Sequence, residues 1–367
     1  MNIFAVIGAN FGDEGKGLVA NYLCREAFLK HQKVLNVLTN GGCQRGHTAY
    51  NDKGMRHVYQ HFGSGYTYAD IYFSKYYMLN PISFIDEYIV LKDDKMNNIY
   101  VDKDCTLSTP FDMLINRMIE DRRTNRHGSC GYGIWETYCR NFIMPIYWKD
   151  LIDKSRQEII EILKNVRNTY FTQLIELYQL ELTDDEKNIF YSNNLIDVFT
   201  TDILAMQKKT ILTTFDKLVE NYDTVVFENA QGLLLDMKVN KKGTPSRTGM
   251  IYIRDIVGDR KVIPYYVTRT YLTKHGNGHF DGECEKKEIN PDMIDFTNHP
   301  NDYQGTLRYG LFNEERVKEL LNRIQKDAQG EYKVVVTHMN EYQCPYLNFA
   351  DFVSYDEINV KEVENVI

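Results

Sequence analysis

The sequence predicts an α/β fold, in which a mostly parallel sheet is flanked by helices and interrupted by a helical insertion. Three observations support this prediction. An apolar, β-branched segment at the start of the chain leads into a glycine-rich loop and then into a helical pattern. The strand pattern returns after that helix, as a parallel sheet requires. Later strand patterns are each followed by polar or glycine-containing residues, which is where open α/β sheets bind ligands.

The first predicted unit is a strand, a loop, a helix and a second strand. Ile3 to Gly8 is the first strand, and Leu18 to Leu29 has the apolar spacing of a helix. Val34 to Leu38 is again a buried strand, which makes this the start of a βαβ unit. A later helix begins at Thr109, which suits an N-cap, and Pro110, and it has one apolar face: Phe111, Leu114, Ile115, Met118 and Ile119.

Residues 149–218 are predicted to form the helical insertion or subdomain. Their pattern is mainly helical, and Thr183 with Glu186 has the spacing of a capping box. Strand patterns return at 224–227, 262–267 and 332–336. Because no linker isolates a second unit, we predict one α/β domain over 1–350, followed by a polar tail at 351–367.

Composition and charge argue against several classes of protein. Hydrophobic residues at 43% and charged residues at 26% are ordinary for a globular chain. The net charge of −8 argues against nucleic acid as a partner. No run of about eighteen apolar residues exists, so no membrane partner is expected. The seven cysteines lack Cys-x-x-Cys or zinc-finger spacing, so we expect free thiols and a cytosolic location.

The loop after the first strand has the composition of a phosphate-binding loop. Gly12, Gly15 and Gly17 allow close backbone approach at the start of a helix, and Lys16 adds a positive charge. The order of residues differs from the Gly-x-x-x-x-Gly-Lys-Ser/Thr motif. Acidic residues at 13 and 14 repel phosphate unless a cation or a proton transfer gives them a role. The alternative is an acidic helix start with a solvated lysine.

A second glycine-rich loop, residues 39–48, follows the second strand. It should reach the same edge of the sheet as the first loop. His47 lies in it between Gly46 and Thr48, a placement that favours a catalytic role, although most single histidines are structural or solvated. No histidine has the spacing of a metal site.

These loops resemble the phosphate loop and the Gly-His-Thr loop of the adenylosuccinate synthetase family. Later segments are similar to further motifs of that family, in the same order: 227–236, 244–248, 268–278 and 304–310. The resemblance spans roughly residues 1–340. It implies a P-loop NTPase-like fold and a ligase that joins L-aspartate to C6 of a purine nucleotide, after a nucleoside triphosphate has phosphorylated the 6-oxygen.

The resemblance also implies roles for individual residues. Asp13 would take the N1 proton of the purine, and His47 would donate a hydrogen bond to the transferring phosphoryl group or to the 6-oxygen. Gln231 would hold the base edge. Lys16 and Mg²⁺ would offset phosphate charge, with Asp13 and the Gly46 carbonyl as metal ligands. The expected phosphate-binding residues are Gly12, Gly15, Lys16, Gly17, Gly46 and Thr48.

The acceptor nucleotide is expected to meet a third group of residues. They are Glu14, Gln44, Ser129, Cys130, Gln231, Thr244 and Arg140. Ser129 and Cys130 stand where the family has two threonines that reach the substrate phosphate; Cys130 is a weak donor and serves equally well as a small buried filler. Arg140 is the candidate for the arginine that one subunit of the family's homodimer lends to its neighbour.

Aspartate and the base of the triphosphate are expected to meet the last two motifs. Gln304, Gly305, Thr306 and Arg308 correspond to the aspartate loop, in which Thr306 replaces an arginine that touches aspartate and ribose. Thr337, His338 and Asn340 correspond to the base-reading segment. Asn340 replaces a carboxylate that accepts two hydrogen bonds from guanine, so weak or reversed discrimination between GTP and ATP is expected.

Three functions therefore stay open at the level of sequence. The first is the ligase acting on IMP. The second is the same reaction on dGMP, because Thr306 removes the ribose-side arginine. The third is a catalytically silent nucleotide-binding relative. Retention of Asp13, Lys16, His47 and Gln231 together favours an enzyme, since a protein that only binds nucleotide needs the glycines and not a base.

Overall fold

The computed structural model describes residues 1–92, 97–124, 128–239, 246–294, 298 and 305–347. Its strands, in chain order, are β1 (Asn2–Gly8), β2 (Val34–Leu38), β3 (His47–Tyr50), β4 (Arg56–Tyr59), β5 (Asp70–Phe73), β6 (Met78–Leu79), β7 (Ile99–Asp102), β8 (Thr106–Leu107), β9 (Ile211–Thr213), β10 (Thr224–Gly232), β11 (Ile263–Arg269), β12 (Leu272–Lys274), β13 (Glu283–Cys284), β14 (Arg308–Gly310) and β15 (Lys333–Thr337).

The helices complete the layers around these strands. They are α1 (Lys16–Leu29), α2 (Pro81–Leu91), α3 (Pro110–Arg122), α4 (Ile134–Asn141), α5 (Arg156–Val166), α6 (Thr172–Leu177), α7 (Asp184–Phe190), α8 (Asn193–Gln207), α9 (Phe215–Leu218), α10 (Ile251–Val257), α11 (Lys286–Ile289) and α12 (Glu314–Ala328). A π-helical segment, Arg167–Phe171, joins α5 to α6.

The centre of the fold is an eight-stranded sheet in the order β15-β11-β1-β10-β2-β5-β7-β9. The pairings between neighbouring strands are parallel. The predicted α/β class with a mostly parallel sheet is therefore confirmed. The carboxyl ends of β1, β10 and β2 lie side by side, so the loops that follow these strands start from the same edge.

Both faces of the sheet are covered, as a parallel sheet requires. In β10, Val226 faces α1 and packs with Val19 and Leu23. Its neighbours Val225 and Phe227 lie in the opposite cluster, which α10 and α12 complete. Alternate side chains of one strand thus enter two separate cores, and this explains why the strand sequences are continuously apolar.

The predicted helix starts are present where the sequence placed them. Thr109 caps α3 in a capping box with Asp112, and Pro110 occupies its first position. Thr183 caps α7, where its hydroxyl accepts from the Glu186 amide at 3.2 Å. These local signals involve residues no more than three apart, which is why the sequence alone could locate them.

The region predicted as a helical insertion contains helices α5 to α9 and one strand that the sequence did not predict. β9, Ile211–Thr213, pairs with β7 and forms an edge of the main sheet. Ile159 and Phe199 from this region pack in one cluster with Phe73 and Val101 of the sheet. Many of the chain's aromatic residues fill this cluster, and the assignment of the chain to a single domain stays a prediction.

Candidate active site

A cleft of about 1230 Å³ opens at the carboxyl edge of the sheet. The loop between β1 and α1 forms one wall, and the loop between β2 and β3 forms another. All six predicted phosphate-binding residues line this cleft: Gly12, Gly15, Lys16, Gly17, Gly46 and Thr48. The four predicted catalytic residues line it as well: Asp13, Lys16, His47 and Gln231. The structure therefore brings together two loops that the sequence could only assign to the same edge.

Three consecutive carbonyl groups of the first loop are held by side chains from distant segments. Thr273 donates its hydroxyl hydrogen to the Gly12 carbonyl at 3.0 Å, and Thr337 donates to the Glu14 carbonyl at 2.9 Å. Arg269 donates from Nε to the carbonyl of Asp13. In a trans peptide the N–H points opposite to the C=O. Fixing these carbonyls therefore directs the next three amide groups the other way, as anion binding at a helix start requires.

The loop also buries two ionisable side chains, Glu14 and Lys16. Lys16 is only 3% exposed, which excludes the alternative of a solvated lysine, and Glu14 is 2% exposed. Glu14 Oε1 accepts hydrogen bonds from the amide and the side chain of Asn10 at 2.7 and 2.9 Å. Burial raises the pKa of Glu14 to about 7 and lowers that of Lys16. The lysine charge is thus held inside the cleft wall rather than in solvent.

Helix α1 approaches the second loop so closely that residue 17 must be glycine. A Cβ atom at Gly17 would lie 2.8 Å from the Cβ of His47 and 3.0 Å from the Thr48 carbonyl oxygen. Real Cβ atoms essentially never come within 2.8 Å of another carbon atom, so a larger residue would displace His47. The glycine therefore sets the position of the predicted catalytic histidine.

His47 is the first residue of β3, and a buried carboxylate fixes its ring. Its Nδ1 lies 2.5 Å from Glu228 Oε1, and Ser64 donates to the same carboxylate from its amide and its hydroxyl at 2.9 and 2.7 Å. Arg45 Nη1 lies 3.7 Å from Glu228 Oε1. Burial opposes ionisation of Glu228, but the hydrogen bond from His47 and the charge of Arg45 lower its pKa to about 2.

The protonation of His47 follows from this arrangement. Burial lowers its pKa to about 4, so the ring is neutral and Nδ1 carries the hydrogen that Glu228 accepts. Its Nε2 is buried without a hydrogen-bond partner in the part of the chain that the structure describes. In this state Nε2 is an acceptor. Donation from Nε2, the role expected from the sequence, requires an imidazolium ion, which a nearby phosphate anion would favour.

The predicted acceptor residues fall into two groups. Five of them line the cleft: Glu14, Gln44, Ser129, Cys130 and Gln231. Both amide atoms of Gln44 are buried without a partner among the described residues, so its side chain is available to a ligand. Ser129 donates to Asn116 Oδ1 at 2.9 Å, and burial raises the pKa of the Cys130 thiol to about 11. Thr244 lies outside the described residues.

Arg140 does not have the position predicted for it. The resemblance implies an arginine that reaches the active site of a neighbouring subunit, but the side chain of Arg140 is completely buried. It pairs with Asp112 at 3.1 Å and donates to the carbonyls of Leu107 and Met144. An arginine with these internal partners braces α4 against α3 and cannot reach another active site, so this assignment is wrong.

The predicted aspartate loop is also placed differently from the expectation. Gly305 and Thr306 are exposed and do not line the cleft, and Gln304 lies outside the described residues. Arg308 forms a bidentate ion pair with Glu283, with Nε–Oε1 and Nη2–Oε2 distances of 2.7 and 2.5 Å. It also donates to the carbonyls of Gly276 and Gly278. In this structure Arg308 therefore supports the 276–278 segment, which does line the cleft.

Of the predicted base-reading residues, only His338 lines the cleft. Thr337 is buried and is committed to the Glu14 carbonyl. Asn340 is exposed and lies off the cleft wall, whereas the next residue, Glu341, lines it and accepts a hydrogen bond from Tyr271. The carboxylate that position 340 lacks is thus present on its neighbour in the chain.

Several cleft residues carry charge or polarity that the sequence reasoning did not use. Glu228 could have been found, because a carboxylate inside an apolar strand needs a buried partner. Arg45 lies in the predicted loop 39–48, and three further residues lie in the motif 268–278, but no individual signal marked them or Glu341: Arg269, Lys274 and His275. Their placement depends on contacts across the fold.

Comparison with known proteins is consistent with this geometry. The sequence model of adenylosuccinate synthetase matches residues 5–308. Among similar proteins, the adenylosuccinate synthetases of Halothermothrix orenii and Francisella philomiragia are 26% and 25% identical, over 76% and 77% of this chain. The matches span 64% and 66% of those relatives' own lengths, so this chain covers somewhat under two thirds of them.

Two solved structures share the fold. One is a fully ligated adenylosuccinate synthetase from Plasmodium falciparum, with a TM-score of 0.72 and 17% identity over 93% of this chain and 77% of that one. The other is the succinoaminodeoxyadenylate synthetase of cyanophage S-2L, bound to dGMP and to dATP as an energy donor. Its TM-score is 0.59 at 14% identity, over 94% of this chain and 95% of that one.

Replacing Arg140 by alanine should lower the free energy of unfolding by about 3–5 kcal/mol, because the buried Asp112 carboxylate would lose its partner. Urea denaturation measures this change. The matched double variant Arg140→Met with Asp112→Asn removes both charges and should recover most of the loss. An Arg140→Ala protein of unchanged stability would contradict the role of this arginine as a brace between α3 and α4.

Proposed function

The chain belongs to the adenylosuccinate synthetase family, and on that basis we propose that it joins L-aspartate to C6 of a 6-oxopurine nucleotide at the expense of a nucleoside triphosphate. One observation supports this activity above others. The phosphate loop with Asp13, the His47–Glu228 pair and Gln231 share a single cleft. A cleft that only bound nucleotide would have no use for an oriented histidine and an adjacent carboxylate.

The proposed reaction has two steps. The 6-oxygen attacks the γ-phosphorus of the triphosphate while the ring N1 proton passes to Asp13, and the nucleoside diphosphate leaves. The aspartate amine then attacks C6, loses a proton, and inorganic phosphate departs. The first step is needed because an oxo group leaves poorly, whereas phosphate leaves well. Asp13 builds negative charge on the attacking oxygen.

His47 is proposed to stabilise the phosphoryl group during its transfer. Glu228 holds the ring through Nδ1, which leaves Nε2 for the ligand. In the absence of ligand, burial keeps the ring neutral. The negative charge of a bound triphosphate, together with ionised Glu228, favours the imidazolium form in which Nε2 donates.

The residues of the cleft fit Mg²⁺ as a cofactor. Mg²⁺ in nucleotide sites is usually held by one or two carboxylates together with phosphate oxygens and water. Asp13 and the Gly46 carbonyl offer oxygen ligands of this kind on the cleft wall. When bound, the cation would offset the charge of the phosphates. Lys16 contributes to the same charge balance from its buried position.

IMP is the proposed acceptor, and dGMP is a second candidate. One observation on this chain supports dGMP as a second candidate acceptor. Thr306 is exposed and off the cleft wall, so no ribose-side arginine stands at this position to select for a 2′-hydroxyl. The phage synthetase with a similar fold is bound to dGMP.

Either GTP or ATP is proposed as donor. Asn340, the residue expected to contact the donor base, does not line the cleft, whereas the carboxylate of Glu341 does, so both bases are kept as candidates.

A homodimer is also part of the proposal, and an exposed apolar patch supports it. Trp135, Phe142 and Ile143 are 48%, 73% and 74% exposed, at the two ends of helix α4. Exposed aromatic and aliphatic side chains this close together are typical of interfaces.

The seven cysteines are free thiols, which fits the proposed cytosolic location. No helix among the described residues is long and apolar enough to cross a membrane.

The reaction is tested by a matrix of substrates. Purified protein is incubated with Mg²⁺, aspartate and either GTP or ATP, together with one acceptor at a time: IMP, dIMP, GMP or dGMP. The products are identified by mass spectrometry. At least one pairing should give a succinylated nucleotide together with a nucleoside diphosphate. If every pairing fails while nucleotide binding persists, the protein is a binding relative and not a ligase.

Replacement of Asp13 or His47 by alanine should each reduce kcat by about 10²-fold or more, since each removes a positioned acid or base. Circular dichroism and thermal melting should show an intact fold. Glu228→Gln should give a smaller loss, because it keeps the shape of the His47 contact and removes its charge. Either alanine variant retaining a tenth of the activity would show that the residue is wrongly assigned.

The double variant Phe142→Asp with Ile143→Asp should convert the protein from dimer to monomer, because two charges would have to be buried at the interface. Light scattering coupled to gel filtration measures the mass. Val90→Asp, an equally apolar and exposed site on α2, is the control and should remain dimeric. An unchanged mass for the double variant would place the interface elsewhere.

A further inference from the structure

His275 lies beside the predicted catalytic carboxylate, and the proposed reaction steps assign it no role. It follows β12 in a segment that lines the cleft. Its Nε2 is 3.3 Å from Asp13 Oδ2 and 3.1 Å from Asn298 Oδ1. Both neighbours are oxygen atoms of side chains that line the same cleft.

Two oxygen atoms, Asn298 Oδ1 as a hydrogen-bond partner and Asp13 Oδ2 at 3.3 Å, indicate that Nε2 of His275 carries the hydrogen. An ionised carboxylate only accepts hydrogen bonds, so Nε2 must be the donor. Nδ1 is buried and has no hydrogen-bond partner among the described residues. The contacts therefore favour a hydrogen on Nε2.

The backbone that carries this ring is held on two sides. Lys274 donates from Nζ to the carbonyls of Gly276 and Asn277 at 3.3 and 2.6 Å. Arg308 donates to the carbonyls of Gly276 and Gly278, both at 2.9 Å. Because two cationic side chains bind the carbonyl groups just after His275, the backbone that carries the ring is well restrained.

Asp13 itself needs such a support. Its backbone has a φ of 56°, in the left-handed region, and Arg269 holds its carbonyl. These restraints fix the main chain, but the side-chain torsions remain to be set. A carboxylate that removes a ring proton must present an oxygen in the plane of the base, and small errors in placement are costly in rate.

We propose that His275 is a positioning residue for Asp13. Its Nε2–H donates to Asp13 Oδ2, and this leaves Oδ1 directed at the N1 proton of the acceptor base. The proposal rests on the proposed function, because Asp13 acts as a base only in that reaction. In this proposal His275 acts through Asp13 and not through the transferring phosphoryl group. Its loss should therefore affect kcat and leave acceptor binding nearly unchanged.

Three variants separate the two ring nitrogens. His275→Ala removes both and should lower kcat by about 10- to 100-fold with KM for the acceptor changed less than about threefold. His275→Gln places an amide near the former Nε2 and should restore kcat to within about fivefold of wild type. His275→Asn places its amide near the former Nδ1 and should behave like alanine. His279→Ala, four residues along and 83% exposed, is the matched control.

The outcomes distinguish this proposal from a structural role. Equal kcat losses in the glutamine and asparagine variants, or an alanine variant within twofold of wild type, would overturn it. So would a loss that appears in KM alone. Melting temperatures of all variants identify any general loss of stability.

A second measurement does not depend on turnover. ¹⁵N spectra of histidine-labelled protein should show His275 as the Nε2–H tautomer, and Asp13→Ala should shift its Nε2 resonance while His279 stays unchanged. An Nδ1–H tautomer would overturn the proposal. If the spectra agree but no succinylated product forms with any substrate, the contact stands and the proposed function fails.

Discussion

The cleft depends on three hydrogen bonds that hold successive carbonyl groups of the loop after β1. Thr273, Arg269 and Thr337 bind the carbonyls of residues 12, 13 and 14 from positions 261, 256 and 323 residues away. A glycine-rich loop has many accessible conformations, and most of them do not point their amide groups at a common ligand. By occupying the carbonyls, the structure selects one conformation before any nucleotide arrives. The same bonds tie the loop to β11, β12 and β15, so the central strands and the cleft form one unit.

Several ionisable groups of the cleft are buried in its wall. Glu228 pairs with His47 and Arg45, and all three are almost completely removed from solvent, as are Glu14 and Lys16. Burying such groups is unfavourable unless partners compensate, and pairs of this kind add little stability compared with apolar packing. Their value lies in fixed position, because side chains that cannot turn toward water stay directed at a ligand. This is the condition for electrostatic stabilisation of a transferring phosphoryl group.

Two arginines that the family motifs associate with substrates serve the scaffold in this protein. Arg140 is enclosed between α3 and α4, where it neutralises Asp112. Arg308 is paired with Glu283 and supports the segment that carries His275. A planar guanidinium can bind several carbonyls and a carboxylate at once, which suits it to bracing a loop as well as to holding a substrate. Two cations that line the cleft lie close to this segment: Arg269 ends β11, and Lys274 ends β12.

The local features of this protein follow from its sequence alone. Strands, helix caps and glycine loops depend on residues close together in the chain, so periodicity located β1, α1 and β2, and the edge rule for parallel sheets placed both loops near the ligand. The order of the motifs indicated the family. Which side chains meet, in contrast, depends on the tertiary fold. The partner of His47 is 181 residues away, β9 joins the sheet from within a helical region, and Arg140 turns inward. Such contacts depend on how the elements pack, and no short stretch of sequence records the packing.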